Sequence, residues 1–269
     1  MRRCQIQQST TTLRIRRRMG RRAVLPVVAS FVVLFGSTMA AERRAIGAET
    51  GASVEGVVKF DGSQPKRRSI QMKEKGGKLS DCHKLHKAGL LDENLLVGDK
   101  GELANVFVYV RKGLEKGKEY PAAKKPAVLN QKNCMFYPRV QGVRVGQDFV
   151  MKNGDPMLHN VRSFSFRNRA FNVAQPPKSE DRKKVFKYRE KAVMIQCDLH
   201  PWMKAYFFVM DHPYFAVTDE KGRFEIQGLP AGEYTLSAWH EELGEQEAKI
   251  TVGTTGSTEV GFSFKEKAK

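Results

Sequence analysis

The chain has 269 residues, 41% of them hydrophobic and 28% charged, with 47 Lys and Arg against 29 Asp and Glu and a formal net charge of +18. That length allows two modest domains or one large one. Apart from its charge, the composition is that of an ordinary soluble globular protein, and no zinc-finger or RNP-like motif accompanies the charge, which argues against nucleic acid as the partner.

Much of the excess charge sits at the amino terminus. Residues 1–40 hold eight arginines and no acid, followed by the apolar run "AVLPVVASFVVLFG" (23–36) and the small-residue stretch "STMAA". This is the pattern of an export signal cut after Ala40 or one residue later. The competing reading is an uncleaved anchor, for which fourteen residues are short. Arg21-Arg22 is a weak twin-arginine signature. Removing eight arginines leaves 18 − 8 = +10 on the mature chain, exported to the periplasm or beyond and with no stable membrane span.

From there the chain reads as short strands separated by turns. "SVEGVVKF" (53–60) is a strand ending in the turn "DGSQP", and 73–102 is loop with at most one short helix. "LANVFVYV" (103–110) is an apolar, β-branched and aromatic strand, and the charged, Gly- and Pro-containing 111–126 is a linker. Short strands follow in "AVLNQ", "CMFYPRV", "GVRVGQDFVMKN", "LHNVRSF", "RKKVFKY", "VMIQC" and "KAYFFVM". The same rhythm returns in "YFAVTD", "RFEIQ", "EYTLSAWH", "EAKITV" and "STEVGFSF". Many short strands with Gly/Pro turns and no long amphipathic helix indicate an all-β fold of sandwiches.

The charge is uneven along this pattern. Residues 126–211 carry fifteen Lys/Arg against seven Asp/Glu, and 212–269 carry six against ten. The positive field therefore belongs to the middle of the chain and suits an acidic partner.

Of the four cysteines, Cys4 leaves with the signal, and Cys82, Cys134 and Cys197 remain. Export favours disulfides, and an odd number leaves one thiol over. Cys82 and Cys134 form the natural pair, because Cys197 belongs to the dense cluster "CDLHPWM" (197–203). With His159 upstream in "LHNV", that cluster supplies one thiolate, two imidazoles (His159 and His200) and the thioether of Met203. This is the ligand set of a blue-copper electron-transfer site, His₂Cys with a weak axial Met. Zinc is the metal alternative, but a thioether is a poor zinc ligand. "CHKLH" (82–86) offers a second cluster, where a disulfide to Cys134 beside solvated His83 and His86 competes with a second metal. His212 and His240 receive no ligand role.

The stretch 126–211 resembles the cupredoxins, in particular the amicyanin and plastocyanin branch. The matching residues are "MFYP" (135–138), "VGQDFVMKN" (145–153), "LHNV" (158–161) and "CDLHPWM", with a His200-to-Met203 gap closer to amicyanin. The resemblance implies one copper per chain, held by His159, Cys197, His200 and Met203. It implies that Asn160 bonds the backbone near Cys197 and joins the two ligand segments. It also implies a surface electron port at His200, beside Pro201 and Trp202. The basic segment 176–191 departs from the family.

"TDEKGRFEIQGLPAGEYTLSAWHE" (218–241) resembles the transthyretin-like, carboxypeptidase-regulatory-type sandwich. Its expected opening strands lie far upstream, at 55–110. The implied organisation is a discontinuous sandwich of 51–124 plus 212–265 with the copper domain (125–211) inserted into it, as exposed loops permit. A decorated single cupredoxin is the simpler alternative. With no nucleophile elbow, phosphate loop or zinc-protease motif, the chain reads as a carrier of single electrons to an acidic redox partner and not as an enzyme. A copper carrier or store, and a carbohydrate- or cell-wall-binding accessory protein, are the competing readings.

Overall fold

The computed structural model describes residues 52–74 and 76–266, so the expected export signal lies outside the described residues. In chain order the strands are β1 (Ala52–Asp61), β2 (Phe107–Lys112), β3 (Ala127–Lys132), β4 (Met135–Tyr137), β5 (Val140–Arg144), β6 (Asp148–Asn153), β7 (His159–Phe164), β8 (Asn172–Gln175) and β9 (Arg182–Val185). They continue with β10 (Glu190–Gln196), β11 (Lys204–Met210), β12 (Phe215–Val217), β13 (Arg223–Leu229), β14 (Gly232–His240), β15 (Gly244–Val252), β16 (Ser257–Glu259) and β17 (Phe262–Lys265). A single 3₁₀ turn at Asp81–Lys84 is the one helical element among the described residues. The chain is all-β, as its strand-and-turn rhythm predicts.

Four sheets result. β1 pairs with β13 and, in parallel, with β16 and β17. The second sheet runs β12-β2-β14-β15, the third β5-β11-β10-β7-β8 and the fourth β4-β3-β6-β9. Sequence-distant segments thus meet: 52–61 pairs with 223–229 and 257–265, and 107–112 pairs with 235–239. The strand expected over 103–110 is shorter at its start, because Asn105 takes a left-handed φ of 60° and the amides of Leu103 and Ala104 bond Val58 and Leu96 instead.

Three cores lie between these sheets. Val54, Val58, Phe224, Ile226 and Phe264 face Val108, Val110, Leu236 and Ala238 across the first. Leu129, Phe149 and Met151 face Val161, Ile195, Phe207 and Val209 across another. Between them, Phe107 and Tyr109 meet Val140, Phe208 and Met210. The two-residue side-chain period of a strand explains this division. β2 sends Val108 and Val110 to one core and Phe107 and Tyr109 to the next, so "FVYV" is buried throughout. β11 does the same with Phe207 and Val209 on one face and Phe208 and Met210 on the other.

The middle core is aromatic and closely packed. Phe107 and Phe208 stack with centroids 4.0 Å apart, and Trp239 meets Phe208 edge-on at 5.2 Å. Gly142 lies so near Phe215 that a Cβ there would fall 2.0 Å from the ring. Beside it Arg139 bonds Glu241 through Nε at 2.5 Å and through Nη2 at 2.8 Å, both side chains being almost fully buried.

Candidate metal centre

The third sheet sets the site. β7 begins at His159, and β10 delivers Cys197 directly after its last residue, Gln196. The two strands are antiparallel neighbours, with Gln196 opposite Arg162. The turn from 197 to 203 closes on itself: Cys197 N donates to Met203 O at 3.1 Å, and Met203 N donates to His200 O at 2.9 Å. One strand start and one strand-to-strand turn therefore carry every residue of the predicted ligand set.

Nδ1 of His159 lies 2.9 Å from Nδ1 of His200, and Cys197 Sγ lies 3.7 Å from the same His200 nitrogen. One donor atom each from His159, Cys197 and His200 falls within 4.8 Å of the others, and all three residues are buried. Met203 is fully buried in the same core as Cys197. A thiol and two imidazole nitrogens turned toward one point suit a soft or borderline ion far better than a hard one. Burial alone would raise the Cys197 thiol, but the two histidines and the Asn160 backbone outweigh it and bring its pKa down to about 6. A thiolate at neutral pH is the form that binds metal.

His200 corrects one expectation. The resemblance implies a surface position, yet only 3% of the residue is exposed, because its ring packs between His159 and Trp202, at centroid distances of 4.8 and 5.1 Å. Pro201 is exposed and Trp202 half-buried. The exposed apolar residues adjoining the ligands in sequence are Leu158 and Leu199.

Asn160 joins the two ligand segments. Its Oδ1 accepts from Asp198 N at 2.8 Å and lies 3.3 Å from Cys197 Sγ, while its Nδ2 donates to Asn172 Oδ1 and Asp198 Oδ2. Three further residues escaped the sequence reading. Asp198 and Asn172 complete this amide network, with Asn172 Nδ2 donating to Asp198 at 2.8 Å. Asp155 is buried and accepts from His159 Nε2 at 2.9 Å. Its two oxygens also accept from the backbone amides of Asn133 and Cys134, at 2.6 and 2.8 Å. Burial would raise the Asp155 carboxyl, but these bonds hold it below its ordinary value. An acid four residues before a candidate ligand is the signal that could have found it.

Cys82 and Cys134 form a disulfide, and Cys197 is the free cysteine of the described residues. The bond adjoins the site: Trp202 Nε1 donates to Cys134 O at 3.1 Å, and the Met157 thioether lies 3.1 Å from Cys134 Sγ. His83 and His86 are half-buried and turned to backbone carbonyls, those of Ser80 and Asn133. Among the described residues they belong to no metal-ligating group. His212 and His240 are buried and accept backbone N–H bonds at Nδ1. Burial lowers the pKa of each to about 4, which keeps both neutral.

A family model described as "Polysaccharide lyase family 4, domain II" matches residues 198–260. No curated protein matches the chain in sequence. Among solved structures, the chain is similar to a Cu-containing nitrite reductase from Thermus scotoductus SA-01, at 18% identity and a TM-score of 0.31, over 38% of this chain and 26% of that one. It is similar to a purple cupredoxin from Nitrosopumilus maritimus, at 20% identity and a TM-score of 0.27, over 31% of this chain and 99% of that one. It is also similar to the oxidised state of an amicyanin point mutant, at 16% identity and a TM-score of 0.29, over 38% and 98% of the two chains. The chain thus spans about a quarter of the nitrite reductase.

Proposed function

We propose that this chain is an exported copper protein that carries single electrons between redox partners, with His159, Cys197, His200 and Met203 holding one copper ion. The observation that carries the reading is the buried convergence of His159 Nδ1, at the start of β7, with His200 Nδ1 and an acidic thiol on the turn that ends at Met203. Bound copper would supply one-electron chemistry through its two oxidation states.

The chain's own residues do the rest. Asp155 accepts the bond from Nε2–H of His159, which orients the ring so that Nδ1 faces His200. Asn160 holds Cys197 and Asp198 against β7. Burial of all four ligands keeps water from the donors. A donor set held by these bonds would move little between the two oxidation states of a bound copper. Electrons would pass at the surface beside Leu158, Leu199, Pro201 and Trp202, toward an acidic partner.

The strand pairings support an insertion: 125–211 as a copper module within a transthyretin-like sandwich made of 51–124 and 212–265. Either end of the proposed outer sandwich meets the other, as in the pairing of 52–61 with 257–265. A second reading, carbohydrate or cell-wall contact through the outer sandwich, is supported by the match over 198–260 to a polysaccharide lyase domain.

The test is a visible absorption spectrum of the protein after adding Cu(II), beside the Cys197→Ser variant. The expected result is an intense band that ascorbate bleaches and that the variant lacks. A wild-type spectrum with no such band would overturn the electron-transfer reading. A copper carrier would instead show weak, exchangeable metal with no rapid redox turnover. Glycan binding that survives Cys197→Ser would favour the second reading.

A further inference from the structure

The metal loop occupies one end of β7 and β10. At their other end the chain builds a second feature that the copper chemistry does not use. The turn 165–168 is pinned by one buried carboxylate. Glu190 accepts from Ser165 Oγ, from the backbone amides of Phe166, Arg167 and Asn168, and from Asn168 Nδ2. Asn168 Oδ1 then accepts from the amides of Lys187 and Tyr188. One acid and one amide thus fix two separate segments against each other.

On this fixed frame the side chains point the wrong way for a folded core. Phe166 is 96% exposed and Tyr188 57% exposed. Tyr188 lines a cleft of about 640 Å³ together with Arg169, Phe171, Val173, Lys184 and Lys187, and Phe166 precedes that lining by two residues. No acid lines it. Among the described residues, Arg169, Lys184 and Lys187 make no ion pair, although Lys184 lies over the Phe171 ring at 5.6 Å.

The walls also carry the open edges of two sheets. β8 ends the third sheet and β9 ends the fourth, and all four residues of β9 are exposed. Basic residues on an edge strand protect against pairing with like chains. That role explains the cations of β9, but it does not explain a rigid turn that holds a phenylalanine in water.

We infer that this cleft is a docking site for an acidic polypeptide segment in extended conformation, centred on the Glu190 turn and not on the metal loop. Main-chain bonds to an open edge would align the segment. Its carboxylates would meet Arg169, Lys184 and Lys187, and its apolar side chains would meet Phe171, Val173 and Tyr188, with Phe166 as an outer anchor. A site fixed before binding loses little entropy on docking. The seven residues of β10 separate the Glu190 end from Cys197 by about 20 Å at the rise of a strand, and the cleft reaches toward the metal loop through Asn172, which lines it and bonds Asp198. The inference does not rest on copper.

The experiment therefore uses the metal-free protein. Its probes are a fluorescein-labelled 12-residue peptide of alternating Glu and Val, the same peptide with alternate backbone amides methylated, and phosphatidylglycerol vesicles. We expect the Glu-Val peptide to bind, with amide NMR shifts confined to 165–188, and methylation to weaken it. We expect the triple variant Arg169→Glu/Lys184→Glu/Lys187→Glu to weaken it roughly tenfold or more, while Lys221→Glu/Lys249→Glu, at two residues that do not line the cleft, leaves it unchanged. Phe166→Ser should weaken it severalfold without changing its salt dependence. Equal loss in both charge-reversal variants would overturn the proposal in favour of unspecific attraction. Vesicle binding without peptide binding would overturn it in favour of a membrane surface.

Discussion

Asp155 and His159 form a buried carboxylate–imidazole pair, Oδ2 to Nε2 at 2.9 Å, on the side of the ring opposite the Nδ1 that faces His200. The same carboxylate bonds the amide of Cys134, whose disulfide joins it to Cys82. A chain of bonds thus runs from a covalent cross-link through an acid to a candidate metal ligand.

Asp155→Asn removes the charge but keeps an acceptor. Such partners of a ligating histidine typically account for about 10- to 100-fold in metal affinity. We expect a Cu(II) affinity loss in that range, read by chelator competition. In the metal-free variant the His159 Nε2–H signal should exchange faster with solvent, read by ¹⁵N NMR. Unchanged values of both would remove Asp155 from the site.

The Cys82–Cys134 disulfide spans 52 positions of sequence. Loop-closure entropy for a ring of that size is about 4 kcal/mol. Cys82→Ala/Cys134→Ala should lose about 2–4 kcal/mol of stability in urea unfolding, and its Cu(II) affinity should fall with it, because the Cys134 amide that orients Asp155 is no longer tethered. A stability loss with an intact copper spectrum and affinity would separate the two roles.

Glu190 gives a pH dependence. Burial would raise its carboxyl, but donors from Ser165, Asn168 and the backbone of Phe166 and Arg167 outweigh that and hold it at about 2, against an ordinary 4.5. A depressed folded-state value means the stabilisation is fully present above about 4.5 and is lost as the pH falls toward about 2. The difference corresponds to something on the order of 3 kcal/mol. Glu190→Gln should therefore be less stable than the parent at pH 7 and nearly equal to it at pH 2, measured by urea midpoints. A gap that stays constant with pH would contradict the assignment.

Arg139 and Glu241 join the layers that carry the site to the layers beyond. Breaking one side of a buried ion pair leaves an uncompensated charge and costs about 3–5 kcal/mol, whereas replacing both sides with apolar residues is often neutral. Glu241→Ala should fall in that range by urea denaturation, and Arg139→Met/Glu241→Leu should recover most of the loss. The Nη2 bond from Arg139 to Asn94 predicts that recovery is incomplete.

The amino-acid sequence by itself determined what depends on local order. The strand-and-turn rhythm foretold an all-β chain, and the spacing of Cys197 and His200 within one turn named two candidate ligands that the turn itself brings to 3.7 Å. Only the tertiary structure decided what depends on distant segments. Hydrogen bonds pair groups by space and not by spacing, so Asp155 emerged as a partner of His159 only when the turn at 133–134 was folded onto it. Packing likewise decided burial: Trp202 and His159 close over His200 and withdraw it from the surface position that the family resemblance implies. The edges of β8 and β9 meet at one cleft because two sheets stack, and no residue on either strand carries that fact alone.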